Sequence, residues 1–463
     1  MSFKVYNSLN KKTEIFKPIN DGKVLLYTCG PTVYDYAHIG NFRTFIFEDL
    51  LKRWLMHLGY EVKHIMNITD VDDKTIEKAR RKKESLSSIT EKYTEEFLRD
   101  IKWLKLIPAN FFPKATNYIK EMIELIKILL DKNLAYIDDN GSVYYNVTGY
   151  SDYGKLGNVK PDNLQKRKRI SDDEYGKNSI QDFALWKSYK KIDGAVYWDS
   201  PWGKGRPGWH IECSAMSMTE LGEHFDIHCG GVDNMFPHHD NEIAQSEGVT
   251  GRPFVNYWMH SEFLLIDGGK MSKSLGNVFK IEDLKKMGFS PESIRFQLLS
   301  AHYRTKVIFS ESKKKESDKV IKKFLNFHNL LKELSADTVN NWVLPKEYNN
   351  FKEKMDNDLD TPGAISVFFS WMKDISKEIK NGKITKVKLG SAWAFLSTFN
   401  LIFDFINEEK LSVPKEIKII FDERRVAREE KNWTLSDDLR EKLFNLGWNV
   451  EDTEKGQKLL KNN

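Results

Sequence analysis

Between residues 23 and 69 the apolar pattern changes period twice, and this change decides most of what the chain can fold into. KVLLYTC (23–29) is a continuous apolar run the length of one buried strand. A loop, GPTVYDYAHIGN (30–41), follows it. FRTFIFEDLLKRWLMHLGY (42–60) then places apolar residues at helical spacing, and VKHIMNIT (62–69) reads as a further strand. Strand, loop, helix and strand in that order predict a crossover unit of a parallel sheet, so the chain is expected to be an α/β protein. Such sheets bind ligands beyond the carboxyl ends of their strands, where the 30–41 loop falls.

The rest of the chain hangs on that unit. Residues 75–135 are helix-rich and carry the basic block KARRKK (78–83). The stretch 136–200 is hairpin-like, with turn sequences DDNGS and YSDYGKLGN and a charged run, QKRKR (165–169), and reads as an insertion. From 205 glycine, histidine and tryptophan concentrate. Strand-like segments return in HFDIHCGG and FVNYWMHSEFLLIDG, the expected second half of the same sheet. Beyond 312 the pattern is almost purely helical and highly charged. A length of 463 residues suits several domains and large cores. The formal net charge of +5 permits an acidic partner without marking a histone-like binder. Three cysteines, Cys29, Cys213 and Cys229, argue for a reducing compartment rather than a disulfide framework. No window of eighteen uncharged apolar residues occurs, and the start lacks a secretory apolar core, so a soluble cytoplasmic protein is expected.

Two elements suit phosphate. His38-Ile39-Gly40-Asn41 stands where the loop hands over to the helix, and helix N-termini attract phosphate through free N–H groups and the macrodipole. By itself that tetrapeptide also suits an ordinary helix cap. DGGKMSKSLGN (267–277) holds Lys270 and Lys273 in a glycine- and serine-rich stretch, which by itself also suits a solvated turn. Together the two elements resemble class I aminoacyl-tRNA synthetases, in which they grip ATP from opposite sides. The resemblance implies that His38, Asn41, Lys270 and Lys273 are catalytic and that Gly30 and Gly40 join them in binding ATP. Asn41 stands where the general motif has a second histidine; it can donate a hydrogen bond but carries no charge.

In PHHDNE (237–242), His238 and Glu242 are four apart and share a helical face. With Cys29 and Cys213 (in GKGRPGWHIECSAM, 203–216) they would supply two thiolates, an imidazole and a carboxylate, a set that suits zinc. Each taken singly also fits core filler or a surface pair. This set, with NITDVDDKTI (67–76), resembles the cysteinyl-tRNA synthetase family, from about residue 3 to the end. The resemblance implies one zinc ion per chain on Cys29, Cys213, His238 and Glu242, and Mg²⁺ with ATP. It further implies a cysteine pocket of Cys29, Thr69, Trp209, His228 and Asp233. Cys229 reads as a packed neighbour, and His239 as a supporting residue.

The implied architecture is a Rossmann-like catalytic domain in two halves, 1–110 and 205–250, with a connective insertion at 111–204. A KMSKS-bearing stem-contact region follows at 251–312, and an α-helical tRNA- and anticodon-binding region at 313–463. Asp356, Asp358 and Asp360 mimic a calcium loop, but Thr361 and Val367 stand where its glycine and glutamate are needed. Arg424, Arg425, Arg428, Lys431 and Arg440 lie among acids at helical spacing and read mostly as a salt-bridged face. Trp433 and Trp448 are stacking or core candidates. The expected partners are tRNA(Cys), ATP and L-cysteine, with no membrane and a monomeric chain. Two rivals stay open: a relative that joins activated cysteine to an amino sugar, and an RNA-binding protein with a relic site. The long charged helical region argues against the first, and the full set of lysines and metal donors against the second.

Overall fold

The computed structural model describes residues 2–159, 182–267, 269–270, 278–335, 343–406, 415–453 and 456–461. Residues Met1–Phe405 form one compact unit and Ile406–Asn463 a second.

The first unit opens with a hairpin, β1 (Lys4–Asn7) and β2 (Lys12–Ile15). The run at 23–29 becomes β3 (Lys23–Thr28), the long apolar stretch becomes α1 (Ile39–His57), and the next run becomes β4 (Glu61–Met66), parallel to β3. Helices α2 (Asp73–Lys82), α3 (Leu86–Trp103) and α4 (Ile119–Asp131) follow. The insertion is a four-stranded antiparallel sheet of β5 (Ala135–Ile137), β6 (Val143–Tyr145), β7 (Phe183–Ser188) and β8 (Gly205–Pro207). The chain then returns through α5 (Trp209–Leu221), β9 (Phe225–Gly231), α6 (Asp240–Thr250) and β10 (Val255–Ser261).

The parallel sheet has the order β10-β9-β3-β4. Its two sequence halves meet where β3 pairs with β9, Tyr27 opposite His228 and Thr28 opposite Cys229. The path from β3 leads through α1 to β4 on one side, and the later strands add on the other. The strand order therefore reverses at β3, the place where open α/β sheets leave a crevice. Apolar residues from both faces close over the sheet, so its strands read as near-continuous hydrophobic runs.

Beyond the sheet lie β11 (Leu264–Ile266), β12 (Gly269–Lys270), α7 (Ile281–Lys286), α8 (Pro291–Leu299) and β13 (Val307–Phe309). Four helices complete the unit: α9 (Lys314–Ser335), α10 (Glu347–Asp356), α11 (Thr361–Lys380) and α12 (Lys386–Phe403). Phe324, Phe351, Phe368, Phe395 and Phe399 interlock as aromatic pairs among them. The three aspartates that mimic a calcium loop have other partners. Asp358 accepts from Tyr303 Oη at 2.6 Å and Arg304 Nε at 2.8 Å, Asp360 caps α11 at Gly363 N, and Asp356 pairs with Lys352.

The second unit packs α13 (Lys415–Glu429), α14 (Trp433–Asn445) and the hairpin β14 (Trp448–Thr453) and β15 (Gly456–Lys461) around Ile417, Ile420, Leu443, Trp448 and Val450. Arg424 is fully buried and bonds both Asp452 oxygens, at 2.9 and 3.0 Å. Trp448 is core, whereas Trp433 is 55% exposed with Arg428 over its ring.

Candidate active site and metal centre

The crevice at the strand ends collects most of the residues singled out from the sequence. Cys29 follows β3, Cys213 lies one turn into α5, His238 precedes α6, and Glu242 is in the first turn of α6. All four are buried, and one donor atom from each lies within 4.8 Å of the others. His238 Nε2 stands 3.1 Å from Glu242 Oε1, an oxygen with no hydrogen-bond partner although buried. An orphaned carboxylate oxygen beside two thiols and an imidazole is what a site built for a cation leaves when only protein atoms are counted. These residues fit a metal ion.

A second group overlaps the first. Cys29, His228, His239 and Glu242 also bring their donor atoms within 4.8 Å. His228 Nε2 is 2.9 Å from Glu242 Oε2, and His239 Nε2 is 3.3 Å from Cys29 Sγ. Behind them runs a buried chain, with His239 Nδ1 2.8 Å from His260 Nε2 and His260 Nδ1 2.8 Å from Ser8 Oγ. His210 Nδ1 lies 2.8 Å from His238 Nδ1. Contacts of this kind fix which ring nitrogen faces a metal. Burial holds His228 and His238 down at about 3 and pushes Glu242 up to about 8. The Cys29 thiol is raised by its hydrogen bond with the free thiol of Cys213 and then by burial. In the metal-free protein the donors are therefore neutral. Cys229 belongs to neither group: it alternates with His228 along β9 and is buried, and burial, followed by Glu48, raises its thiol.

Around the donors, Trp209 stacks on His238 with ring centroids 4.3 Å apart and is 40% exposed, so it covers the centre from the solvent side. Thr69 is buried, its hydroxyl 3.2 Å from Asn67 Nδ2. His228 stacks on Trp258, and Asp233 sits exposed in the turn after β9. Gly30 has a packing reason of its own, because a Cβ there would stand 1.7 Å from Asn67 O.

His38 is the N-cap of α1. Its Nδ1 accepts from Asn41 N at 3.3 Å, and Asn41 Oδ1 accepts from His38 N at 3.0 Å, a reciprocal capping box. Ile39 N donates to Phe279 O at 2.9 Å, and His38 bridges to Lys280. The start of α1 is thus joined to the segment that follows residue 277. Gly40 is the second residue of α1. Lys270 ends β12, paired with Leu265, and Lys273 lies outside the described residues.

Sequence reasoning missed His210 and His260. Each is an unremarkable single histidine on its own element, and only the packing of α5 and β10 against the 237–242 segment sets His210 beside His238 and His260 beside His239.

Residues 15–319 match the family model of the class I (C) tRNA synthetase catalytic domain, residues 350–407 that of the DALR domain, and residues 412–458 that of the cysteinyl-tRNA ligase anticodon-binding domain. The fold is similar to that of a Mycobacterium tuberculosis methionyl-tRNA synthetase solved with methionyl-adenylate. The TM-score is 0.63 at 12% identity, over 82% of this chain and 92% of that one. Fold and site together define a class I aminoacyl-tRNA synthetase. The cysteine–tRNA ligase of Chlamydia caviae is 44% identical over 464 residues, covering 99% of this chain and 97% of the relative. That of Chlamydia muridarum is 42% identical over 475 residues, covering 100% of both. The chain belongs to the cysteine–tRNA ligase family.

Proposed function

We propose that this chain joins L-cysteine to tRNA(Cys) in two steps. The cysteine carboxylate attacks the α-phosphate of ATP and displaces pyrophosphate, giving cysteinyl-adenylate. A hydroxyl of the 3′-terminal ribose then attacks the acyl carbon, and AMP leaves. The observation that carries this reading is the convergence of Cys29, Cys213, His238 and Glu242 at the strand ends from which α1 also starts.

The side chains work by positioning and charge stabilisation; none need act as a nucleophile. Acceptance at Nδ1 leaves the His38 proton on Nε2, which donates toward phosphate. Asn41 Oδ1 is committed to the cap, so Nδ2 is its donor. Lys270 and Lys273 counter triphosphate charge, Gly30 and Gly40 let ATP approach the backbone, and Mg²⁺ accompanies the nucleotide. Thr69, His228 and Asp233 line the amino-acid pocket with Cys29, and Trp209 covers it. Zinc, one ion per chain, is the metal this donor set suits, and when bound it would offer a thiolate a bond that the hydroxyl of serine cannot match.

Among the described residues no helix is long and apolar enough to cross a membrane. We place the chain in the cytoplasm as a monomer, with the segment boundaries near 110, 204, 250 and 312 shifted so that the insertion includes β8 and the catalytic sheet includes β10. The test is cysteine-dependent ATP–pyrophosphate exchange followed by charging of tRNA(Cys). Exchange without charging would favour another acceptor, and absence of both would sink the reading.

A further inference from the structure

The insertion sheet makes a contact that its place in the chain does not suggest. Lys187 on β7 and Arg206 on β8 stand directly opposite each other in the antiparallel register. Like charges so placed repel unless a counter-charge meets them. Asp73, the first residue of α2, meets both: its Oδ2 lies 2.8 Å from Lys187 Nζ, and its Oδ1 bonds Arg206. Arg206 is buried and has a further carboxylate, Asp193, 3.6 Å from its Nε. Partial burial opposes ionisation of Asp73, but the two cations outweigh it and hold the carboxyl below its ordinary range.

The positions on either side give this clasp a purpose. Four residues before Asp73 is Thr69, tied to the 30–41 loop by Thr69 N to Pro31 O at 3.2 Å. Three residues after Arg206 is Trp209, and seven after it is Cys213. The corner between them is rigid: Gly208 N donates to Leu185 O at 2.9 Å, and a Cβ on Gly208 would stand 1.9 Å from Ala184 O. The Trp209 side of the crevice is therefore fixed to β7, and β7 and β8 are fixed to the Thr69 side through Asp73.

We propose that Asp73, Arg206 and Lys187 are positioning residues for the amino-acid pocket, setting the separation between its Thr69 wall and its Trp209–Cys213 wall. The insertion sheet is then a wall of that pocket. The inference rests on the functional reading above and adds residues to it.

The test uses the full chain, metal-replete, with Asp73→Asn, Arg206→Ala, Arg206→Lys and the double variant Asp73→Asn/Arg206→Ala. Pyrophosphate exchange is measured against cysteine and ATP separately, with metal content and melting temperature alongside. Asp73→Asn and Arg206→Ala should each raise KM for cysteine by about fivefold or more while KM for ATP stays within about twofold. The double variant should be no worse than the worse single one, because both remove the same clasp. Arg206→Lys should recover part of the loss. A cysteine KM within about twofold of wild type in Asp73→Asn, or KM values for cysteine and ATP that rise together, overturns the proposal. Asp73→Asn decides alone if Arg206→Ala does not fold, since the Asp73 side chain is 54% exposed. Unchanged variants of an active enzyme sink only the clasp, whereas an inactive wild type takes the functional reading with it.

Discussion

Glu242, Cys29 and Cys213 share a protonation problem that a metal ion would remove. Burial raises Glu242 to about 8 from an ordinary 4.5. Across that interval the folded metal-free protein binds more protons than the unfolded chain, so stability falls as pH rises. The buried histidines pull the other way. His64, His210, His228, His238 and His260 sit at about 3 against an ordinary 6.5, so the unfolded chain binds the extra protons and stability rises with pH, but only up to about 6.5. Between pH 6.5 and 8 the carboxyl effect is left uncovered. An ion held by these groups would need Glu242 as carboxylate and the cysteines as thiolates, releasing their protons, so its binding would strengthen over the same interval. Glu48 and Glu212, raised by burial as well, act in both forms, so the melting temperature should fall more steeply from pH 6.5 to 8 in metal-free than in zinc-loaded protein. A gap between the two that stays constant with pH would mean that these groups are not the ligands.

At the scale of the element, α1 joins the site to the rest of the unit. Asn41→Asp keeps the acceptor of the capping box and suits the helix dipole, so the fold should melt within a degree or two of wild type. It replaces the amide donor with a negative charge near the triphosphate, so adenylate formation should slow at least about tenfold, some 1.4 kcal/mol. Single-turnover activation at the wild-type rate would remove Asn41 from the ATP site. In the middle of the same helix Asp49 accepts from Arg53 Nε at 2.9 Å and pairs with Arg295 Nη1 at 2.8 Å, all three buried. Asp49→Asn leaves Arg295 without its carboxylate and Arg53 with only Asp404, 3.3 Å away. It should cost about 3–5 kcal/mol, because breaking a buried pair strands charge in low dielectric. A denaturation midpoint close to wild type would show that the network relaxes around the loss. Element by element, the sequence made β3–α1–β4 legible because its periods change cleanly at the loop. By residue type it also marked four side chains that converge as one of two overlapping groups able to hold a cation. His210 and His260, the Asp73–Arg206 clasp and the Arg295 side of the Asp49 network stayed hidden, since each depends on which elements pack together; only Asp49–Arg53, four apart on α1, is a local pair. Gly30 shows a further limit: the resemblance implies that it binds ATP, and only the fold shows that a Cβ there would stand against Asn67 O.

For the whole molecule, the division at Phe405 determines where function can be cut. A cut near residue 312 would remove α9 to α12. Those helices belong to the first compact unit, and Arg53 of α1 donates to Leu401 O at 2.8 Å. Such a fragment would expose buried phenylalanines and leave Arg53 short of a partner, so its failure would say nothing about the second unit. A chain ending at Phe405 keeps every residue proposed to touch ATP or cysteine. The unit it loses has its own core of Ile417, Ile420, Leu443, Trp448 and Val450, and its buried Arg424 is neutralised within that unit by Asp452. Residues 1–405 should therefore fold and catalyse cysteine-dependent pyrophosphate exchange within about twofold of the full chain. Charging of tRNA(Cys) should fall at least about tenfold, chiefly through KM for tRNA, because binding contributed by a separate unit is lost while the chemistry is untouched. If the shortened protein charges tRNA as well as the full chain, residues 406–463 have some purpose other than holding tRNA. If exchange collapses too, the second unit supports the catalytic crevice itself.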